Sequence, residues 1–151
     1  MARIVEVVGL AQAGHGDAAR PRFAELWAEI GPEGDPLHRC TLAHYAADVQ
    51  TDVRAELMWD LRALAAANEV TDERAQRYHG SLNVAGFYPS LHLNLADVYR
   101  RLGDRELARE HIECARDAAG ALEDDGYGRM IQDGIARTAA QLVEKRGSRD
   151  G

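Results

Sequence analysis

The chain has 151 residues, enough for one domain that buries roughly 70% of its unfolded surface without a metal or a disulfide. Its hydrophobic fraction is 46% but its aromatic fraction only 6%, so alanine carries much of the apolar content and close helix packing is favoured over sheet. A formal charge of −7 argues against nucleic acid, which calls for a basic patch, and no apolar run approaches the ~20 residues that span a bilayer.

Taken in chain order, Ile4, Val7, Val8 and Ala11 recur at helical spacing. The valines would also suit a strand, but the residues that follow favour a helix. Gly14-His15-Gly16-Asp17 supplies a glycine–aspartate corner at Gly16-Asp17, and Phe23, Leu26, Trp27 and Ile30 make a second stripe. Pro21 falls in the first turn of that second helix, where a missing N–H costs little. Gly31–Pro36 then breaks the chain.

A further pair is predicted over residues 37–68. Leu42, Tyr45, Ala46 and Val49 form the first stripe, Thr51-Asp52 the corner with Asp52 as cap, and Val53, Leu57, Met58, Leu61, Leu64 and Ala65 the second stripe. Trp59 lies off the centre of that stripe. The helix keeps little fully polar surface, and a central position covered on two sides is expected.

Residues 69–89 interrupt the pattern. Thr71–Tyr78 reads as a short helix capped by Thr71 or Asp72, while His79–Tyr88 has no helical period. An irregular connection of this length is usually a binding loop, a lid or disordered. Pro89 marks the start of the next helix.

Ser90–Ala118 carries the clearest signal. Leu91, Leu95, Val98 and Leu102 form one helical stripe, flanked by Ala96 and Tyr99; Gly103 ends the helix and Asp104 caps the next, which repeats Leu107, Ala108, Ile112, Ala115 and Ala119. So short a joint makes the two helices antiparallel neighbours. Leu95-Ala96, Tyr99, Gly103-Asp104, Ala108 and Ala115 resemble a tetratricopeptide repeat (TPR). The resemblance covers under a fifth of the chain. It implies a right-handed stack of helix pairs with a concave binding face, and no catalytic activity.

Beyond the acidic turn Glu123–Gly126, the stripe Tyr127, Met130, Ile131, Ile135, Thr138 and Leu142 predicts a helix that closes the stack. Lys145–Gly151 reads as a flexible tail. The expected whole is all-α: about three antiparallel pairs and a C-terminal closing helix, in one domain over residues 1–144 with an insertion at about 69–89. Cys40 and Cys114 are far apart with no leader ahead of them, which points to a cytoplasmic protein with reduced thiols.

Candidate functional residues fall into three groups. Cys40, His44 and Asp48 are four apart on one helix face. The simplest reading is a surface with one buried thiol; the sharper ones are a metal held by all three or an organic ligand held by His44 and Asp48. Ser90, Asn94, Asp97 and Arg101 fall within about 100° of one helix face. The resemblance implies that the first helix of each pair lines the concave face, which makes these residues partner contacts. Arg54 would be a further contact, with Phe87 and Tyr88 gating one end. His92 lies nearer the packing side and reads as a core histidine. His111 and Cys114 read as solvent-facing beside Glu110 and Glu113.

No glycine-rich phosphate loop, nucleophile elbow or calcium loop is present, so no catalytic residue, metal or cofactor is assigned. The expected function is non-catalytic binding of a protein or peptide in a concave groove. The alternative is a small-molecule or metal site, catalytic or sensory, where His44, Asp48 and His92 converge under the 79–88 loop. A third alternative is a structural subunit whose self-association covers the exposed ends of a helical stack.

Overall fold

Side-chain oxygens open most of the helices. Asp35 accepts from the Leu37 N–H at 2.9 Å, Asp52 from Ala55 at 3.3 Å, Asp104 from Leu107 at 3.1 Å, Asp125 from Gly128 at 2.7 Å and Thr71 from Arg74 at 3.1 Å. Each satisfies an N–H that has no partner within its own helix. The computed structural model describes residues 1–78 and 84–150, with side chains described outside 144–150. The fold is all-α: no strand occurs among the described residues.

The helices are α1 (Ala2–Gln12), α2 (Gly16–Ile30), α3 (Pro36–Asp48), α4 (Val53–Ala67), α5 (Asp72–Tyr78), α6 (Tyr88–Leu102), α7 (Arg105–Ala118) and α8 (Gly126–Asp150). Short 3-10 turns cover Val84–Phe87 and Ala119–Ala121. The chain divides into two compact units, Met1–Leu82 and Asn83–Gly151.

In the first unit α1 packs on α2, α2 on α3 and α3 on α4, and α3 also touches α1. The central helix is therefore α3, not α4 as the sequence suggested. It buries Leu37, Cys40, Leu42, Ala43, Ala46 and Ala47. The buried face of α4 runs through Trp59, Asp60, Ala63, Ala66 and Ala67, while Met58 and Leu61 are each 41% exposed. Alanine wins this contact because it lets two helix backbones approach closely; the leucine–methionine stripe is left on the outside. The α1–α2 corner also differs from expectation by half a turn. The left-handed residue is Gly14, at φ +94°, α2 begins at Gly16, and Asp17 pairs with Arg20 at 2.8 Å instead of capping.

Short α5 is tied back to α3 by charge. Arg74 donates to Asp35 at 2.6 Å and lies 3.3 Å from His38. Burial alone would raise the Asp35 carboxyl, but the Arg74 guanidinium and the Leu37 N–H outweigh it and hold the group below the usual carboxylate range.

In the second unit α6 and α7 form a hairpin, and α8 lies against both. The core is Ala96, Ala108, Ile112, Ala115, Ile131, Ile135 and Leu142. The α8 seam differs at its start from the predicted stripe. Tyr127 and Met130 are exposed, whereas Gly128 and Gly134 are buried with Ile131, Ile135, Thr138 and Leu142. Gly103 adopts the left-handed conformation at φ +87°, and its N–H bonds back to the Arg100 and Tyr99 carbonyls. A Cβ there would meet nothing within 4 Å, so the cost of Gly103→Ala is conformational alone. That variant is expected to lose about 1–2 kcal/mol, read as a lower urea midpoint with an unchanged slope. No helix among the described residues is long and apolar enough to cross a membrane.

Candidate functional site

Helix α6 presents its polar side to α8 across a groove of about 270 Å³. Leu93, Asn94, Asp97 and Arg100 line it from α6, and Gly134, Arg137, Thr138 and Gln141 from α8. Helical spacing puts each set on one face, and Gly134 sets the approach. A Cβ on Gly134 would lie 2.8 Å from Leu93 Cδ2, so glycine lets the leucine seat against α8. Two of the predicted contacts, Asn94 and Asp97, therefore line a real concavity.

The charges within it are graded. Asp97 accepts from Arg100 at 2.9 Å and from Arg101 at 3.0 Å, one guanidinium on each carboxylate oxygen. Arg101 thus acts on the site through Asp97. Arg137 is exposed and has no carboxylate partner among the described residues. The groove offers amide groups from Asn94 and Gln141, a hydroxyl from Thr138 and one uncommitted cation.

The other predicted residues sit elsewhere. Ser90 is buried and donates to the Phe87 carbonyl at 3.2 Å, so its hydroxyl is spent within the unit. Phe87 ends a 3-10 turn and Tyr88 begins α6, both half-buried. Residues 79–83 of the expected lid lie outside the described residues. Arg54 is exposed on α4.

His44 and Asp48 belong to α3 of the first unit, and His92 to α6 of the second. Burial lowers the His44 imidazole below its ordinary value, opposed by Asp48 one turn on. Its Nδ1 is buried and has no hydrogen-bond partner among the described residues. Burial also pushes the Cys40 thiol up to about 11, which keeps it protonated and a poor nucleophile or metal ligand. Both cysteines are free thiols. Among the described residues no three His, Cys, Asp or Glu side chains cluster so as to hold a metal.

One cluster escaped the sequence reading. His92 Nδ1 lies 2.9 Å from His111 Nδ1, so His111 turns toward α6 and is half-buried. The ring centroids are 5.2 Å apart, longer than the nitrogen–nitrogen distance by about the sum of the ring radii, so the imidazoles meet edge to edge. Tyr88 flanks His92 at 6.1 Å and Tyr99 flanks His111 at 5.5 Å. The signal was present: Tyr88, His92 and Tyr99 recur at steps of four and seven.

The first unit has its own groove of about 380 Å³, between the starts of α1 and α3 and the end of α2, crossed by an Arg3–Glu29 ion pair at 2.6 Å. Neither groove is lined by His44, Asp48 or His92. Comparison of the chain with protein-family models, curated proteins and solved structures gives no match.

Proposed function

We propose that this chain is a non-catalytic binding module, built of TPR-like helix pairs, that takes a peptide segment of a protein partner along the α6–α8 groove. The observation that carries the reading is the groove itself: Asn94 and Asp97, placed on one face by helical period, face Arg137, Thr138 and Gln141 across it. Amides and a hydroxyl can both donate to and accept from a peptide backbone. Arg137 supplies a cation for an acidic side chain or a chain-terminal carboxylate, while Asp97 is already neutralised by Arg100 and Arg101. The hairpin pattern about Gly103-Asp104 supports the repeat reading of α6 and α7.

Asn94→Ala combined with Arg137→Ala tests this. Both residues stand at the groove and outside the core, so thermal stability is expected to stay within about 1 kcal/mol of the parent. Affinity capture followed by mass spectrometry should lose the partners that the parent chain recovers. Identical recovery by parent and variant would remove the groove from consideration.

A further inference from the structure

The two tryptophans of the chain meet in the first unit. Trp27 from α2 and Trp59 from α4 stand nearly perpendicular, at 82°, with centroids 5.5 Å apart. Arg62, one turn after Trp59, lies in the corner between them. Its Cζ is 5.0 Å from the Trp27 centroid and 4.7 Å from that of Trp59. Indole faces attract a guanidinium and fix its plane. Arg39 also sits 5.0 Å from Trp27 but is paired with Glu69 at 3.1 Å.

Arg62 differs from its neighbour in one respect. It has neither a hydrogen-bond acceptor nor a carboxylate among the described residues, although the chain carries 25 acidic residues against 18 basic ones. It is half-buried, and burial acts on it with no opposing carboxylate. Its Cζ lies over both indole rings while its N–H groups have no acceptor among the described residues. A guanidinium held in this way is preorganised for an in-plane carboxylate.

The face next to it gives the rest of the ligand. Arg54, Met58, Leu61 and Ala65 lie within one sector of α4 and are all exposed, with Leu57 and Leu64 half-buried at its border. Arg54 likewise has no ion-pair partner among the described residues. At 1.5 Å per residue the two arginines stand about 12 Å apart along the axis, with apolar surface between them. A lipid surface is a poor fit, since two cations on a chain of −7 give little attraction to anionic headgroups. We propose that the exposed face of α4 is a second binding surface, which receives an amphipathic helix of a partner protein whose two carboxylates, about two turns apart, reach Arg54 and the indole-held Arg62 on either side of a leucine-sized apolar contact.

The probe is a lactam-locked helical peptide with glutamates seven positions apart and leucines between them, beside a twin in which both glutamates are glutamine. Both indoles belong to the site, so the intrinsic emission of the native chain reports binding without a label. The glutamate peptide is expected to shift that emission saturably, and the glutamine twin to bind at least about tenfold more weakly, since hydrogen bonds to charged groups are lost. Arg62→Gln should weaken the glutamate peptide by a similar factor. Arg62→Lys should recover only part of it, because the ammonium lacks the planar fork. Met58→Ser with Leu61→Ser should weaken both peptides, with an unchanged far-UV spectrum. Equal binding of the twins to the native chain would overturn the proposal, whatever the variants do. So would an equal emission shift with phosphatidylglycerol vesicles, or concentration-dependent self-association that both peptides fail to compete.

Discussion

Replacing Phe23 by alanine is expected to destabilise the first unit by about 3–5 kcal/mol. Phe23 is fully buried on α2, one turn from Ala19 and close to Leu26, both also buried. Truncation removes an aromatic ring from water-free surroundings and leaves a cavity that the close-packed helices fill only in part. Domains are stable by about 5–15 kcal/mol, so such a loss leaves the unit marginal. Trp27 and Trp59 both belong to this unit, so urea unfolding followed by indole emission reads it directly. A large fall in the emission midpoint is the expected result. A stability within about 0.5 kcal/mol of the parent, the effect of an ordinary surface change, would show that Phe23 does not sit in a packed core. Met58→Ala, at a position 41% exposed, serves as the near-neutral comparison.

The contrast between Phe23 and Met58 shows what was legible in the sequence. Helices α1 to α4, α6 and α7 lie in the stretches that the apolar period marks, and several boundaries follow local chemistry: Pro36 and Pro89 in first turns, Asp52 and Asp104 at caps, Gly103 in the left-handed conformation; Pro21, expected in a first turn, lies inside α2. Such signals act within a few residues and need no knowledge of the rest of the chain. Which face of a helix is buried depends on its neighbour. On α4, Leu57, Met58, Leu61 and Leu64 made the stronger stripe by side-chain size, yet Ala63, Ala66 and Ala67 form the buried face. A scale that rewards bulk cannot see that small residues win where backbones must come close. Gly14 and Gly16 pose the same difficulty on a shorter scale, since either could have turned the chain and the register of α2 decided for Gly14.

The candidate sites were legible only where one helix carries them. Asn94 and Asp97 share a face by period alone, and the groove contains both. Their counterparts Arg137, Thr138 and Gln141 come from α8, which no spacing within α6 could announce. The Trp27–Trp59 corner and the His92–His111 pair likewise join side chains from different helices. Each had half a signal, Arg62 one turn after Trp59 and the Tyr88–His92–Tyr99 stripe, and neither had its partner.

Acidification is expected to loosen the α6–α7 hairpin through that histidine pair. In the neutral pair one Nδ1 carries a hydrogen and donates to the other across 2.9 Å. A first proton on the far nitrogen of the donor ring leaves this bond intact, and the flanking tyrosine rings tolerate the cation. A second proton requires both Nδ1 atoms to carry hydrogens, so two donors face each other on adjacent cations. Burial lowers both imidazoles below the ordinary histidine value; at His92 the charge of His111 lowers it further, while Glu110 opposes the fall at His111. In the unfolded chain the same histidines take up protons near about pH 6.5. The pair's contribution is therefore whole above about pH 6.5 and is lost as the pH falls through the lower values of the folded pair. His38 and His44 are also lowered by burial, but they belong to the first unit, so a variant in the second isolates the pair. His111→Phe keeps a ring between His92 and Tyr99 and removes the shared hydrogen. The drop in melting temperature between about pH 8 and about pH 5 should be smaller in this variant than in the parent. Imidazole resonances of the parent should show two linked titrations, both below the free-histidine value. Two independent titrations near the ordinary value, with an equal drop in parent and variant, would mean that the nitrogens share no proton.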